Sequence, residues 1–376
     1  MRKNSKIEHR DVIQYESEEQ AIEEFYKLFG IEAREAKNIY IDNNLQGKVP
    51  DPCAAHKKIV DNRDSAIYSQ EGLSYEALGA KIQKTIQISI DGDFKIPAIL
   101  HHVWLSKASY SSDSRQIKFR LHNKFFQSNV KITSNWTHYL WTNDLSYIPN
   151  EVIKWCANHK VAIYDMTTIA ASDNHFAQNH QFSTLAAKVK KLSEQQEFGL
   201  ATDIARYLAI YLHGGVYVDG DYKISNTASL EKMMKSYNSF FGVERGYDVR
   251  VGNAFIAAEK ESPIIAKVIT LVERNILDQA SAPDYVNYPN LHTQTTLVKT
   301  GPVALSVAFN SEARQDQDIL LPYGYIYAMP GDRTKKNQPC KKWAKDNDIC
   351  NEISVIGDHL FAQTWVLKKS DTDFDC

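Results

Sequence analysis

The chain has 376 residues, of which 43% are hydrophobic and 24% are charged, as is typical of a soluble globular protein with one large domain or two ordinary ones. Its net charge of −2 gives no electrostatic sign of a protein that binds nucleic acid or an anionic membrane. The sequence contains no apolar run long enough to span a bilayer, and its first residues lack the apolar core of a Sec signal peptide. We therefore expect a protein that is made in a cytoplasm and either stays there or is secreted into a host cell without a Sec signal.

Residues 1–85 are polar, and their pattern predicts mostly helices. In the segment SEEQAIEEFYKLFG (17–30), apolar residues recur at helical spacing between a possible N-cap, Ser17, and a C-terminal stop signal, Gly30. We expect residues 1–85 to form an N-terminal helical extension and residues 86–376 to form the main domain. The extension could dock an acceptor or a membrane, or it could be a structural cap, and the sequence leaves both open.

From about residue 85 the pattern changes to alternating strands and helices. The run TIQISI (85–90) predicts a strand, and the DGD at 91–93 predicts a hairpin turn into the apolar strand IPAILHHVWLS (96–106). The next predicted elements are a strand, a helix and another strand: THYLWTND (137–144), NEVIKWCANH (150–159) and VAIYDMTT (161–168). This order predicts an α/β fold with a parallel sheet.

Two predicted helices then lead into a second DGD. They are FSTLAAKVKKLSEQQ (182–196) and EFGLATDIARYLAIYLH (197–213), and Gly214 and Gly215 end the second one. The strand that follows, VYVDGD (216–221), ends in two aspartates.

Asp-x-Asp alone is weak evidence for a metal site, because the triplet begins at six positions: 91, 219, 316, 346, 371 and 373. The context favours the triplet at 219, since Asp219 and Asp221 end a buried strand, where open α/β sheets bind ligands. Gly220 between them leaves room for a diphosphate. Two carboxylates suit Mg²⁺ or Mn²⁺, which would bridge the diphosphate and stabilise a departing phosphate. The triplet at 91 is explained by the hairpin.

The segment ATDIARYLAIYLHGGVYVDGD (201–221) resembles the signature of glycosyltransferases with a DXD sugar-binding region. That family includes initiating α-1,6-mannosyltransferases, the large clostridial glucosylating toxins and related bacterial effectors. Its pattern is S/T/A-D-x-x-R, about ten residues, and then G-G-x-Y-x-D-x-D. Softer likenesses follow in the same order over about 96–365: IPAILHHVWLS, YLWTND, NAFIAAEKESP, TGPVAL, LPYGYIYAMP and HLFAQTW.

The resemblance implies a GT-A fold, which is a Rossmann-like mixed sheet flanked by helices. It also implies a UDP- or GDP-sugar donor, Mn²⁺ or Mg²⁺ as cofactor, and transfer with retention of the anomeric configuration. The sequence leaves a protein side chain, a glycan and a lipid open as acceptor; we expect a protein, possibly one of a host cell, and no nucleic acid partner.

Carried over by position, the resemblance also implies roles for individual residues. Asp203 and Arg206, which lie on one face of a helix, would hold sugar hydroxyls and the diphosphate; a surface ion pair is the alternative. His359 would join Asp219 and Asp221 as a metal ligand, although a packed neutral histidine is an open alternative and Gln363 replaces the serine of many relatives nearby. The remaining donor contacts would come from Trp104 on the base, Asn143 on the base or ribose, Tyr217, and Trp365 closing over the donor.

Two other classes of function remain open. A metal-dependent phosphoesterase could use the same aspartates, but it usually needs more clustered carboxylates or histidines. A catalytically inactive GT-A-like binding module would not need Asp203, Arg206, Asp219 and Asp221 all intact.

Overall fold

A computed structural model describes residues 75–89, 91–106, 124–166, 182–243, 251–277, 296–297, 299–314, 316–321, 323–327 and 355–359. The predicted helix at 17–30, most of the expected extension 1–85 and the predicted site residue Trp365 lie outside these residues.

Helices and strands alternate along the described chain. The helices are α1 (Tyr75–Ser89), α2 (124–132), α3 (Asn150–Asn158), α4 (Phe182–Glu194), α5 (Phe198–His213), α6 (Thr227–Ser236), α7 (Pro263–Leu277), α8 (Pro302–Glu312) and the single turn α9 (Tyr323–Ile326). The strands are β1 (Ile99–Val103), β2 (Thr137–Thr142), β3 (Val161–Asp165), β4 (Gly215–Val218), β5 (Tyr222–Ile224), β6 (Ser239–Val243), β7 (Val251–Ala258), β8 (Asp318–Leu321) and β9 (Gly357–His359). None of the described helices is both long enough and apolar enough to cross a membrane.

Seven of these strands form one mixed sheet in the order β3-β2-β1-β4-β7-β6-β8. The first four are mutually parallel, β6 and β8 are parallel to each other, and β7 runs antiparallel to both β4 and β6. This arrangement confirms the predicted α/β class with a Rossmann-like mixed sheet flanked by helices. The carboxyl ends of β1, β2 and β4 consequently meet at one edge of the sheet.

Helices cover both faces of the sheet. On one face, α5 packs on β1, β4 and β7, and it is itself covered by α4 and α7. On the other face, apolar residues of α2 and α3, among them Phe126 and Val152, pack against β2 and β3. Because α5 is enclosed, most of its side chains are buried, including the charged Asp203 and Arg206. This excludes the alternative that these two residues form a surface ion pair.

The glycine pair after α5 makes the turn into β4. Gly214 has a φ of 62° and its N–H donates to the carbonyl of Ile210 at 2.7 Å, closing the helix, while Gly215 has a φ of 105°. A Cβ at Gly215 would lie 2.5 Å from the carbonyl oxygen of Ile99 on β1. Only glycine therefore allows the chain to reverse from the helix into a strand directly beside β1.

The predicted strand at 85–90 and the hairpin after it are wrong, since residues 85–89 belong to the end of α1. The alternation of isoleucines suggested a strand, but Ile82 and Ile86 are one helical turn apart and both are fully buried, whereas Ile88 is 75% exposed. The DGD is a turn that ends the helix, with the N–H of Gly92 donating to the carbonyl of Ser89 at 2.9 Å. The helix α1 continues across residues 85 and 86, so no break in the chain marks the predicted domain boundary there. The division into an extension and a main domain stays a prediction.

Two adjacent histidines on β1 are buried in different surroundings. His101 Nδ1 accepts a hydrogen bond from the indole N–H of Trp141 at 3.0 Å, and its Nε2 therefore donates to the carbonyl of Gly214 at 2.8 Å. His102 points to the opposite face and packs edge-on against Phe126, and neither of its ring nitrogens has a hydrogen-bond partner among the described residues. Burial lowers the pKa of each histidine to about 3, so both rings are neutral in the folded protein.

We expect the two histidines to make the fold sensitive to acid. The unfolded chain takes up protons on them below a pKa of about 6.5 while the folded protein does not, so stability falls between about pH 6.5 and pH 3. At pH 5 each histidine should lower the free energy of unfolding by about 2 kcal/mol relative to its value at pH 7.5. His102→Phe should remove one of these contributions, measured as the free energy of urea unfolding at pH 7.5 and pH 5.0. An equal loss of stability in the variant and the wild type would contradict this.

Candidate active site

The DGD at 219 forms a turn at the carboxyl end of β4. Asp219 follows the last residue of the strand, and its N–H donates to the carbonyl of Ala254 on β7 at 2.9 Å. The N–H of Tyr222 donates back to the carbonyl of Asp219 at 3.0 Å, which closes the turn over Gly220 and Asp221. Both carboxylates therefore lie at the edge of the sheet predicted for ligand binding.

A second, two-stranded sheet brings His359 to this turn. β5 begins immediately after Asp221 and pairs antiparallel with β9, with Tyr222 opposite His359. The Nε2 atom of His359 lies 3.0 Å from Asp221 Oδ1 and 3.8 Å from Asp219 Oδ2. One ligand atom from each of these three residues lies within 4.8 Å of the other two.

The donor set of this cluster fits a divalent cation. Carboxylate oxygens suit Mg²⁺ and Mn²⁺, and imidazole is a common ligand of transition metals, so a mixed set of this kind suits Mn²⁺ well. With metal–ligand distances of about 2.1 Å, ligand atoms on one ion lie about 3–4 Å apart. The three ligand atoms, which lie within 4.8 Å of one another, are therefore near the spacing at which side chains share one ion.

Asn129 of α2 holds the free edge of β5 like a neighbouring strand. Its Nδ2 donates to the carbonyl of Tyr222 at 2.9 Å, and its Oδ1 accepts from the N–H of Ile224 at 2.8 Å. On the other edge, Gly357 of β9 lies so close to the Tyr222 ring that a Cβ would meet it at 2.5 Å. The short strand behind the DGD is thus fixed from both sides.

Arg206 lies behind the turn and joins Asp219 to Asp203. Its Nη1 is 3.1 Å from Asp219 Oδ1, and its Nη2 is 3.1 Å from Asp203 Oδ1. The guanidinium also lies over the ring of Tyr217, 4.7 Å from the centroid, and donates to the carbonyl of Asn253 at 2.5 Å. Burial opposes the charge on Arg206, but Asp219, Tyr217 and Asp203 raise its pKa above the ordinary value, so it stays positive.

Tyr217 fixes the orientation of Asp219. It is fully buried on β4, and its hydroxyl donates to Asp219 Oδ1 at 2.5 Å. Burial raises its pKa well above the ordinary value, so the phenol remains a neutral donor. With Oδ1 engaged by Tyr217 and Arg206, Asp219 turns its other oxygen, Oδ2, towards His359.

Asp203 is held from two further elements. Its Oδ1 accepts from Asn253 Nδ2 at 2.9 Å, and its Oδ2 accepts from the hydroxyl of Thr300 at 2.8 Å. Burial raises the pKa of Asp203 to about 6, while Arg206 and the hydrogen bond from Thr300 oppose that shift.

The residues that are predicted to bind the nucleotide lie at this same edge of the sheet. Trp104 follows β1 and is half-buried, and its backbone N–H donates to the backbone carbonyl of Trp141 at 2.8 Å. Asn143 follows β2, but its side-chain amide is engaged at both ends, accepting from Ser106 N at 2.9 Å and donating to Ser106 O at 2.7 Å. The side chain of Asn143 thus fixes the segment after Trp104.

The structure therefore brings together Asp203, Arg206, Tyr217, Asp219, Asp221 and His359, and it sets Trp104 and Asn143 at the same sheet edge. Sequence reasoning missed Asn129, Asn253 and Thr300. The segments NAFIAAEKESP and TGPVAL, which contain Asn253 and Thr300, carried a signal, but it did not single out either residue. No pattern in the sequence marked Asn129, because its role depends on a strand 93 residues away.

Residues 120–240 match the family model described as a glycosyltransferase sugar-binding region containing a DXD motif. No curated protein matches the chain. Among solved structures, the chain is similar to the PaToxG glycosyltransferase, with 16% identity, a TM-score of 0.42, and coverage of 70% of this chain and 78% of that one. It is also similar to the UDP-bound glycosyltransferase domain of the YGT toxin, with 12% identity, a TM-score of 0.40, and coverage of 61% and 80% respectively.

We expect Asn129→Asp to weaken metal binding at the candidate site of Asp219, Asp221 and His359, although Asn129 does not belong to it. The substitution keeps the acceptor for Ile224 N but sets a carboxylate against the carbonyl of Tyr222, so β5 loses one hydrogen bond and gains a repulsion. Stability should fall by about 1–3 kcal/mol and Mn²⁺ affinity by about tenfold, as expected for an unsatisfied buried group. Thermal unfolding and titration calorimetry with Mn²⁺ measure the two effects.

The matched control is Asn158→Asp, the same change at an exposed position of α3. It should leave both quantities unchanged. If Asn129→Asp lowers stability but binds Mn²⁺ with wild-type affinity, then Asn129 supports only the fold.

Proposed function

We propose that the chain, whose residues 120–240 match a glycosyltransferase sugar-binding region with a DXD motif, transfers a sugar from a UDP- or GDP-sugar to an acceptor protein in a metal-dependent reaction. The observation that carries the proposal is the convergence of Asp219, Asp221 and His359 at the carboxyl end of β4. A divalent ion there would neutralise the donor diphosphate and stabilise the charge that develops on it as it leaves.

Asp219, Asp221 and His359 would hold this ion, with the orientation of Asp219 set by its neighbours. Tyr217 and Arg206 engage Oδ1 of Asp219, which leaves Oδ2 for the ion. In addition to any contact with the donor, Tyr217 thus acts by orienting a ligand. Gly220 keeps side-chain atoms away from the approaching diphosphate.

Arg206 and Asp203 would recognise the parts of the donor next to the diphosphate. Arg206 is a permanent positive charge that is buried directly behind Asp219, so it can stabilise negative charge on the departing phosphate without reorganisation. Asp203 is an acceptor for a sugar hydroxyl. Their mutual ion pair keeps both side chains in place before the donor binds.

The nucleotide would occupy the edge formed by the ends of β1 and β2. Trp104 offers a ring face for the base, and Asn143 keeps the backbone of Ser106 fixed beside it. We propose that Trp365 closes over the bound donor and excludes water that would otherwise hydrolyse it.

We further propose that transfer proceeds with retention. No dedicated base is then needed, because an oxygen of the departing phosphate accepts the proton of the acceptor hydroxyl on the same face of the sugar. Arg206 would stabilise this phosphate throughout.

Replacing the two aspartates of the turn should remove activity. Asp219→Asn with Asp221→Asn should abolish Mn²⁺ binding and lower turnover of the donor at least about a thousandfold, because the diphosphate charge is no longer compensated. The assay incubates the protein with Mn²⁺ and a panel of UDP-glucose, UDP-N-acetylglucosamine, UDP-galactose and GDP-mannose, and follows release of the nucleotide.

The chain supplies a matched control in its first DGD. Asp91→Asn with Asp93→Asn makes the same chemical change in an exposed turn after α1, and it should leave turnover intact. Turnover that survives the change at 219 and 221 would contradict the proposal. No turnover of any donor by the wild type would favour a binding module, and hydrolysis of simple phosphate esters would favour a phosphoesterase.

Retention predicts a product anomer with the configuration of the donor. NMR of the transferred or released sugar, recorded before mutarotation, identifies this anomer. The opposite anomer would overturn the proposal of retention and leave the assignment of the metal site untouched.

A further inference from the structure

Asp203 is enclosed by groups from three separate parts of the fold. Arg206 contacts it from the same helix, Asn253 from β7, and Thr300 from the segment just before α8. Thr300 is fully buried, and its hydroxyl lies 2.8 Å from Asp203 Oδ2. A threonine 97 residues further along the chain thus contacts a carboxylate that the proposed reaction uses.

The hydrogen bonds of Asp203 leave little acceptor capacity. An ionised carboxylate has about four acceptor positions, two on each oxygen. Oδ1 already accepts from Asn253 at 2.9 Å and from Arg206 at 3.1 Å, whereas Oδ2 accepts from Thr300 alone among the described residues. One acceptor position therefore remains, and it lies on the oxygen that Thr300 holds.

We propose, on the basis of the proposed function, that Thr300 is a positioning residue for the donor sugar. Its hydroxyl fixes Oδ2 of Asp203, so that Asp203 accepts a single sugar hydroxyl through that oxygen. A sugar that presents a hydroxyl at this position is bound, and a sugar that lacks it leaves a buried carboxylate oxygen without its partner. Thr300 thereby contributes to the choice of donor without touching the reacting atoms.

The charges around Asp203 support this role. The pKa of its carboxyl group is raised to about 6, because burial and, to a smaller extent, Asp219 raise it more than Arg206, Thr300 and Asn253 lower it. Tyr207, from the same helix, also faces this group. Loss of the hydrogen bond from Thr300 would therefore favour the protonated form of Asp203, which is a poorer acceptor at neutral pH.

Removing the Thr300 hydroxyl takes a hydrogen bond from Asp203 Oδ2 and leaves no other neighbouring group unsatisfied. The hydroxyl also lies 3.3 Å from the carbonyl of Thr296, but that carbonyl accepts from the backbone N–H groups of Thr300 at 3.1 Å and Gly301 at 2.9 Å. Thr300→Val keeps the shape of the side chain and removes the donor to Asp203. Thr300→Ser keeps the donor, and Thr270→Val is a matched control on α7, where the hydroxyl bonds the carbonyl of Ala266.

The test compares these variants for turnover and for binding. With the donor of the panel that the wild type hydrolyses, kcat/KM should fall about tenfold in Thr300→Val, as expected for losing one hydrogen bond to a charged group. The acid limb of its pH profile should move to higher pH. Thr300→Ser should restore both, and Thr270→Val should match the wild type.

Calorimetry separates positioning from structural damage. In Thr300→Val, affinity for the free nucleotide, UDP or GDP, should be unchanged, while affinity for the matching nucleotide sugar should fall several-fold. Equal losses for nucleotide and nucleotide sugar, or an unshifted acid limb, would overturn the role of Thr300. If Thr300→Val does not fold, Thr300→Ala carries the same comparison.

The outcomes also distinguish a failure of the role of Thr300 from a failure of the proposed glycosyltransferase function. A wild type that turns over no donor overturns the proposed function and this inference together. A wild type that turns over a donor, with Thr300→Val indistinguishable from Thr270→Val, overturns this inference alone.

Discussion

The site depends on a single buried positive charge, that of Arg206. Burying a guanidinium costs several kcal/mol unless its charge and its hydrogen bonds are satisfied. Asp203 and Asp219 supply the charge, the carbonyl of Asn253 accepts a hydrogen bond, and the ring of Tyr217 lies beneath the guanidinium. Since these partners come from α5, β4 and β7, satisfying Arg206 fixes the helix, the strand and the turn after it in one geometry.

The site is built in two layers around this charge. The outer layer holds the ligand atoms of Asp219, Asp221 and His359, and the inner layer holds Arg206 and Asp203. Asp219 belongs to both layers because one oxygen faces Arg206 and the other faces His359. Neutral groups donate the remaining hydrogen bonds to Asp219 and Asp203, so these carboxylates keep their orientation without a further buried charge.

Local sequence patterns predicted most elements of the fold but not all of them. The apolar runs that became β1 and β2 are mostly buried on both faces, and the helix α5 has a long apolar face and a glycine stop, so each of these patterns fitted only one kind of element. The run at 85–90 fitted two kinds, since its isoleucines fit both a strand and the last turns of a helix. Packing decided between them, because Ile82 and Ile86 are buried together on one side of α1.

The sequence by itself determined the segment from Asp203 to Asp221, because helix, glycine pair, strand and turn are contiguous and each residue type has a local physical reason to be there. It also predicted His359, but only through a family resemblance. Tertiary structure alone decided that His359 lies 3.0 Å from Asp221, that Asn129 fixes β5, and that Asn253 and Thr300 hold Asp203. The reason is that these contacts join residues 50 to 138 positions apart, and which side chains meet across such separations depends on how the strands pair and the helices pack.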